Sequence, residues 1–375
     1  MQKAEPIWNI LKMHAVSSGF AFSLVAIFIP IYLLRLGNSI AEVMLFLILH
    51  NVILFVAAFA VVLLSNRLGL VRTLRIRFIF LAVYLFLLYL LQTQSGLSIY
   101  FVAIVGGIEG AFYWIPINVL FTRYSQAKAM AKQMSHFFVL PEAFGLLAPL
   151  IGGMVAALFG FPALFVLVFV VSIAALSFLR GFNREKTNFQ FSLERFKEVW
   201  RRNKIYFIAE FFDNITEETV GIIFPVVAYL SLYSLTDVGL IGTLLSAGMM
   251  GFTLIIGRFA DRYNKKKMLR VGALLLIATF LGTFLTQSDV GFYIVSILLG
   301  FFLRFFLVPY NAFLYQNAKI DDAQFLVLRE LPVISARVFV FSLAILFAAR
   351  LEFVFFAAIL SLFYFFLFNP RESRK

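Results

Sequence analysis

Four carboxylates, Glu210, Asp213, Glu217 and Glu218, stand in the stretch FIAEFFDNITEETVGIIFP at residues 207–225, which is otherwise apolar or uncharged. With Asn214 they recur at helical spacing, and at 100° per residue all five fall within an arc of about 140°. A one-sided acidic stripe must face water or protein, because a carboxylate at the centre of a bilayer costs about 2.5 to 3.5 kcal/mol on insertion scales. Three kinds of chemistry fit it. Glu210 and Asp213, nearer Lys204, could pair with basic residues of a cytoplasmic rim as a gate between domains. The deeper Glu217 and Glu218 suit proton uptake or substrate binding, since a carboxylate removed from water favours its neutral form and so carries a proton. Glu210, Asp213, Asn214 and Glu217 also offer oxygen ligands suited to Mg²⁺ or Mn²⁺. No second helix supplies further ligands, so a metal site is not expected.

The elements that hold this stripe follow from composition. The chain of 375 residues is 62% hydrophobic and 14% charged, with 49 phenylalanines and a mean hydropathy of +0.96. No soluble domain of this size could cover so much apolar surface, so the expectation is an all-α polytopic membrane protein. Apolar runs long enough for a ~30 Å hydrocarbon core occur at about 12–34, 40–64, 72–92, 97–121, 134–158, 161–180, 205–231, 237–257, 268–287, 290–315, 324–348 and 351–368. They predict twelve transmembrane helices. Short turns separate them, among them RLGNS at 35–39, GFP at 160–162 and TQSD at 286–289. The opening MQKAEPIWNILK lacks the small-residue cleavage site of a signal peptide, so the first helix is expected to be retained.

Nearly all of the 32 lysines and arginines fall in the N-terminal tail, the alternate loops and the C-terminus. That bias predicts both termini in the cytoplasm of a cell (inner) membrane. The net charge of +13 then reads as a topology signal and an affinity for anionic lipid headgroups, with no nucleic-acid partner. Zero cysteines exclude disulfides and thiolate sites.

An internal repeat is visible. SNRLGLVRTLR (65–75) aligns with ADRYNKKKMLR (260–270), Pro30 with Pro225, IPIN (115–118) with VPYN (308–311), and FVLPE (138–142) with LVLRE (326–330), all at offsets near 195. The order and spacing argue for two homologous six-helix halves, the parallel-repeat plan of secondary transporters. The division is expected as residues 1–181, a cytoplasmic linker at 182–203, and 204–375. Within the linker, Leu193, Phe196, Val199 and Trp200 share one helical face opposite Arg and Lys, which reads as an amphipathic helix lying on the cytoplasmic leaflet.

GRFADRYNKK at 257–266 resembles the loop signature of the major facilitator superfamily, G-x-x-[AD]-D-R-x-G-[RK]-[RK], with Gly257, Asp261, Arg262, Lys265 and Lys266 in place. Asn264 stands where the second glycine belongs, and asparagine tolerates the left-handed conformation that glycine would adopt there. The first-half copy keeps Arg67 and Gly69 but has Val61 and Asn66 for the glycine and aspartate. The resemblance implies a cytoplasmic latch carried mainly by Asp261, to which Glu142 and Glu330 would belong. APLIGG at 148–153 is close to the G-P-x-x-G-G of exporters in that family. Against this, the R-x-x-Q-G motif of proton-driven drug exporters lacks its arginine and has Glu109 at the glutamine position.

The same resemblance implies two pseudo-symmetric six-helix bundles around a cavity lined by helices 1, 4, 7 and 10. Proton coupling would fall to Glu217, Glu218, Glu109 and Asp213. Substrate contacts would come from His14, Ser18, Tyr113, Asn118, Glu210, Asn214, Arg304 and Asn311. Glu109 and Arg304, at equivalent places of the two halves, are expected either to pair across the cavity or to leave Arg304 to an acid of helix 7. Pro116 and Pro309 are expected to kink helices 4 and 10.

No H-E-x-x-H, G-x-S-x-G or P-loop motif occurs, so neither an enzyme, a cofactor nor an ATP-driven pump is expected. The function expected is alternating-access transport, foremost proton-coupled export of a small amphipathic or cationic organic molecule. Proton-coupled uptake of a polar or anionic solute, or lipid flipping, are the alternatives. The partners expected are that substrate, protons and membrane lipids, around a monomer.

Overall fold

A computed structural model describes residues 4–94, 96–124, 143–179, 192–255, 264–286, 288–318 and 322–369. In chain order the helices are α1 (Ala4–Val25), α2 (Phe28–Arg35), α3 (Ile40–Leu68), α4 (Leu70–Leu91), α5 (Ile99–Tyr124) and α6 (Ala148–Ser177). They continue as α7 (Leu193–Glu218), a π-turn (Thr219–Ile223), α8 (Phe224–Leu232), α9 (Leu235–Ile255), α10 (Lys265–Thr283), α11 (Asp289–Ala318), α12 (Asp322–Leu346), a 3₁₀ turn (Leu351–Phe353) and α13 (Val354–Leu367). The twelve expected segments are each mostly helical over their described residues. Eight stretches among those residues are long and apolar enough to cross a membrane. The chain is an all-α polytopic membrane protein.

The interruptions have local causes. Between α1 and α2, Pro30 removes an N–H and its ring crowds the carbonyl four residues back, at the turn of Ala26 and Ile27. α6 contains two helical runs that meet at Gly160, whose φ of +82° is open to glycine, two residues before Pro162. That is the turn expected from GFP. In the seventh segment the ring of Pro225 bears on residue 221, and the backbone widens there into the π-turn. The segment expected to lie on the leaflet is instead continuous with helix 7. α7 starts at Ser192, whose side chain caps the Arg195 N–H, and Phe196 and Val199 are buried in protein, Phe196 near Phe59 of α3. An apolar stripe serves protein burial as well as it serves lipid.

The N-terminal helices meet the C-terminal ones along two seams, α3 against α12 and α6 against α9. The second seam is backbone on backbone. A Cβ on Gly153 would lie 2.5 Å from the Leu235 carbonyl oxygen, and one on Gly239 would lie 2.6 Å from that of Pro149. The Leu150 N–H, left without an intrahelical acceptor in the first turn of α6, donates to Thr243 Oγ1 of α9 at 3.2 Å. The small residues of APLIGG therefore let two helices approach closely between the halves.

Gly153→Val should consequently destabilise the protein by about 1–3 kcal/mol through overpacking. Gly282→Ala, where an added Cβ meets nothing within 4 Å, should change stability by less than ~1 kcal/mol. Thermal melts of the two purified variants check the contrast; equal melting temperatures would contradict it.

Candidate functional site

The acidic stripe lies on the inward side of α7. Glu210 is fully buried, accepting from the Tyr310 hydroxyl of α11 at 2.9 Å and pairing with Arg329 of α12 at 2.6 Å. It was expected in a substrate cavity or an inter-domain gate; instead it is sealed inside the C-terminal half by two partners from that half. Asn214 donates its amide to the Glu210 backbone carbonyl at 2.9 Å, which turns its NH₂ onto its own helix.

One turn further, Asp213 is 2% exposed and its Oδ1 has no hydrogen-bond partner. Glu217, four residues on, is half-buried and makes no hydrogen bond or ion pair among the described residues. The charges bearing on it are Glu210, Glu218, Arg329 and Arg337. Glu218 contacts Arg337 of α12 at 2.7 Å, and Arg337 Nη1 donates to Asn51 Oδ1 of α3 at 2.8 Å. Glu330, expected in the cytoplasmic latch, is instead buried in α12 within the field of Arg329, Arg337 and Glu210.

A second charged cluster sits in the N-terminal half. Glu109 of α5 pairs with Arg77 of α4 at 2.5 Å, and the Arg77 guanidinium lies 4.0 Å from the centre of the Tyr113 ring. The expected pairing of Glu109 with Arg304 is thereby overturned: Arg77 is on the neighbouring helix and reaches the carboxylate first. Tyr113, expected to contact substrate, covers the Arg77 guanidinium. Arg304 is buried against α9, with Nη2 3.6 Å from the Met249 sulfur.

His14 and Ser18, also expected in the cavity, are sealed where α1 meets α6. His14 Nδ1 is 3.0 Å from the Ala175 carbonyl and Ser18 Oγ is 3.5 Å from His14 Nε2. Nδ1 donates to the Ala175 backbone carbonyl, which fixes the ring as a structural tie. Asn118 is buried in α5 beyond Pro116, and Asn311 is half-buried in α11 beside Tyr310.

Of the expected latch, Gly257, Asp261, Arg262 and Glu142 lie outside the described residues. Arg67 is exposed, and Lys265 is half-buried. The Lys266 ammonium donates to Asn369 Oδ1 at 2.8 Å. Asn264 does not take the left-handed conformation expected of a glycine replacement. Its φ of −65° and ψ of 111° are extended, and its side chain accepts from the N–H groups of Lys266 and Lys267 as the N-cap of α10.

Sequence reasoning missed Arg77, Arg329, Arg337, Asn51 and the pairing of Tyr310 with Glu210. Arg77 and Arg329 stand near the edges of apolar runs and read as loop charges; the signal available was that each is flanked by several apolar residues. No three His, Cys, Asp or Glu side chains converge as a metal site among the described residues.

The sequence model of the Major Facilitator Superfamily matches residues 14–319 and again 206–375. A search of curated protein sequences returns no significant match. Among solved structures, a D-xylose-proton symporter superposes with a TM-score of 0.73 at 12% identity, covering 97% of this chain and 98% of the other. A bacterial homologue of the iron transporter ferroportin, in an outward-facing state with soaked iron, gives 0.70 at 14%, covering 96% and 98%. The E. coli fucose:proton symporter gives 0.67 at 11%, covering 96% and 97%. Likeness at these identities establishes the shared fold.

Because Glu210 and Arg329 compensate each other away from water, removing one partner strands a buried charge. Arg329→Gln should cost about 3–5 kcal/mol, and adding Glu210→Gln should recover part of that loss. Melting temperatures of the single and double variants test the pairing; a double variant no more stable than Arg329→Gln would contradict it.

Proposed function

The chain belongs to the major facilitator superfamily of transporters, and we propose that it exchanges protons for a small organic cation at Asp213 and Glu217. One observation carries the reading. Glu109, Glu210 and Glu218 each have an arginine, whereas Asp213 and Glu217, one turn apart on the same face of α7, have none within ion-pair distance among the described residues. Two carboxylates in a site of low polarity call for a compensating positive charge. A proton supplies it in one half of the cycle and a substrate cation in the other.

Competition for the same oxygens couples the two fluxes without any further device. With a cytoplasm less acidic than the outside, inward protons would drive outward cations, so the cycle is an antiport. Phe211 and Phe212 directly precede Asp213 in sequence and suit a cation with an apolar body. The close packing of Gly153 against α9 supports a seam that resists leak during such a cycle. An iron transporter homologue shares the fold, but the donor set here, with no three converging ligands among the described residues, suits an ammonium better than a metal ion. On this reading residues 1–181 and 204–375 rock against each other in the cell membrane, with both termini in the cytoplasm.

A second reading, uptake of a polar or anionic solute with protons, is favoured by the buried guanidinium of Arg304 and by two structural neighbours described as sugar–proton symporters.

Melting temperatures of wild type and Glu217→Gln in detergent, recorded with cationic amphiphiles, sugars and organic anions at two pH values, separate the readings. For cation exchange, a cationic ligand at 100 times its Kd should stabilise the wild type by ~2.7 kcal/mol. The effect should be stronger at higher pH, where fewer protons compete, and absent in the variant. Stabilisation by sugars or anions alone, equal in the two proteins, would reject cation exchange.

A further inference from the structure

Arg337 is placed to do more than neutralise Glu218. Its Nε is 2.7 Å from Glu218 Oε1, yet that nitrogen makes no aligned hydrogen bond, so the contact is one of charge. Its Nη1 reaches across to the other half and donates to Asn51 Oδ1 at 2.8 Å. Asn51 is buried and has turned its NH₂ onto the Leu47 carbonyl of its own helix at 2.8 Å. Its free oxygen thus serves as an acceptor for the guanidinium. The contact lies within the α3–α12 seam, and one carboxylate of the α7 stripe determines whether its donor has a counter-charge.

We propose that Arg337 is the positioning residue through which the charge of α7 controls the contact between the halves. The inference rests on the alternating-access reading and names a contact that ties the halves. With the Glu218 charge in place, the guanidinium is held between Glu218 and Asn51, and α12 is tied to α3. Without that charge the guanidinium loses its counter-charge, leaves Asn51, and the seam loosens. The surrounding charges are Glu210 and Glu217 on α7, Arg329 and Glu330 on α12, and, on α3, His50, next in sequence to Asn51 and within the field of Arg337. The two other ion pairs described, Arg77 with Glu109 and Arg329 with Glu210, each join helices of a single half.

The absence of cysteine makes the natural chain a ready background for spin labels. Leu45→Cys and Leu346→Cys place labels at exposed positions near the ends of α3 and α12. Label-to-label distances, measured by double electron–electron resonance without substrate and at one pH, should be longer in Glu218→Gln than in the wild type. Asn51→Asp, which supplies a carboxylate that can hold Arg337 by itself, should restore the short distribution in the Glu218→Gln background. Equal distances in Glu218→Gln and the wild type, or no restoration by Asn51→Asp, would each overturn the role of Arg337. Cation binding that depends on Glu217 would stand in both cases, so failure here is distinct from failure of the exchange mechanism.

Discussion

The structure is governed by the cost of charge away from water. A carboxylate or guanidinium between transmembrane helices must find an opposite charge or hydrogen bonds, because neither lipid nor a Phe-rich interior offers any. Among the described residues this demand is met three times with arginine: Arg77 for Glu109, Arg329 for Glu210, and Arg337 for Glu218. The first two are closed within one half and secured by tyrosines, Tyr113 over the guanidinium and Tyr310 on the carboxylate. They fix helices in register. The third reaches the opposite half, and beside it Asp213 and Glu217 remain without an arginine in contact. Satisfied charge ties helices to one another; the two carboxylates without an arginine stand one turn apart on the same face of α7.

The seams complement this arrangement. Along α6 and α9, glycines bring backbones together, and van der Waals contact does the holding. Along α3 and α12 a polar contact crosses, Arg337 to Asn51. A seam of small residues keeps its packing whatever the protonation state, whereas a seam held by a guanidinium responds to the charge beside it. The π-turn at Thr219–Ile223 follows directly on Glu218, so the acidic stripe ends where helix 7 departs from regular geometry.

Much of this was legible in the sequence. Apolar runs gave the helices, since in a membrane the length of a run is itself the signal, and turn residues marked the breaks at Gly160 and at 36–39, between α2 and α3. The 100° arithmetic placed the carboxylates of α7 on one face, and they are on one face. What could not be read was which arginine serves which acid. That depends on how helices pack: Glu109 looked symmetric with Arg304, but Arg77, on the adjacent helix, has it. Local patterns with two physical uses also misled. Phe196 and Val199 form a stripe that fits a leaflet or a protein groove, and the groove takes it. Asn264 suits a left-handed turn or an N-cap, and the free N–H groups of α10 claim it as a cap. His14 was expected to touch substrate in the cavity, yet a backbone carbonyl of α6 occupies its ring.

The central claim is that one positive charge at Asp213 and Glu217 is exchanged for another. Calorimetry of an organic cation binding to the purified protein, repeated in buffers of different ionisation enthalpy, measures that exchange directly. The account predicts about one proton released per monovalent cation bound near neutral pH, with no release in the Asp213→Asn, Glu217→Gln double variant. Cation binding with the same heat in every buffer, and therefore without proton release, would contradict it.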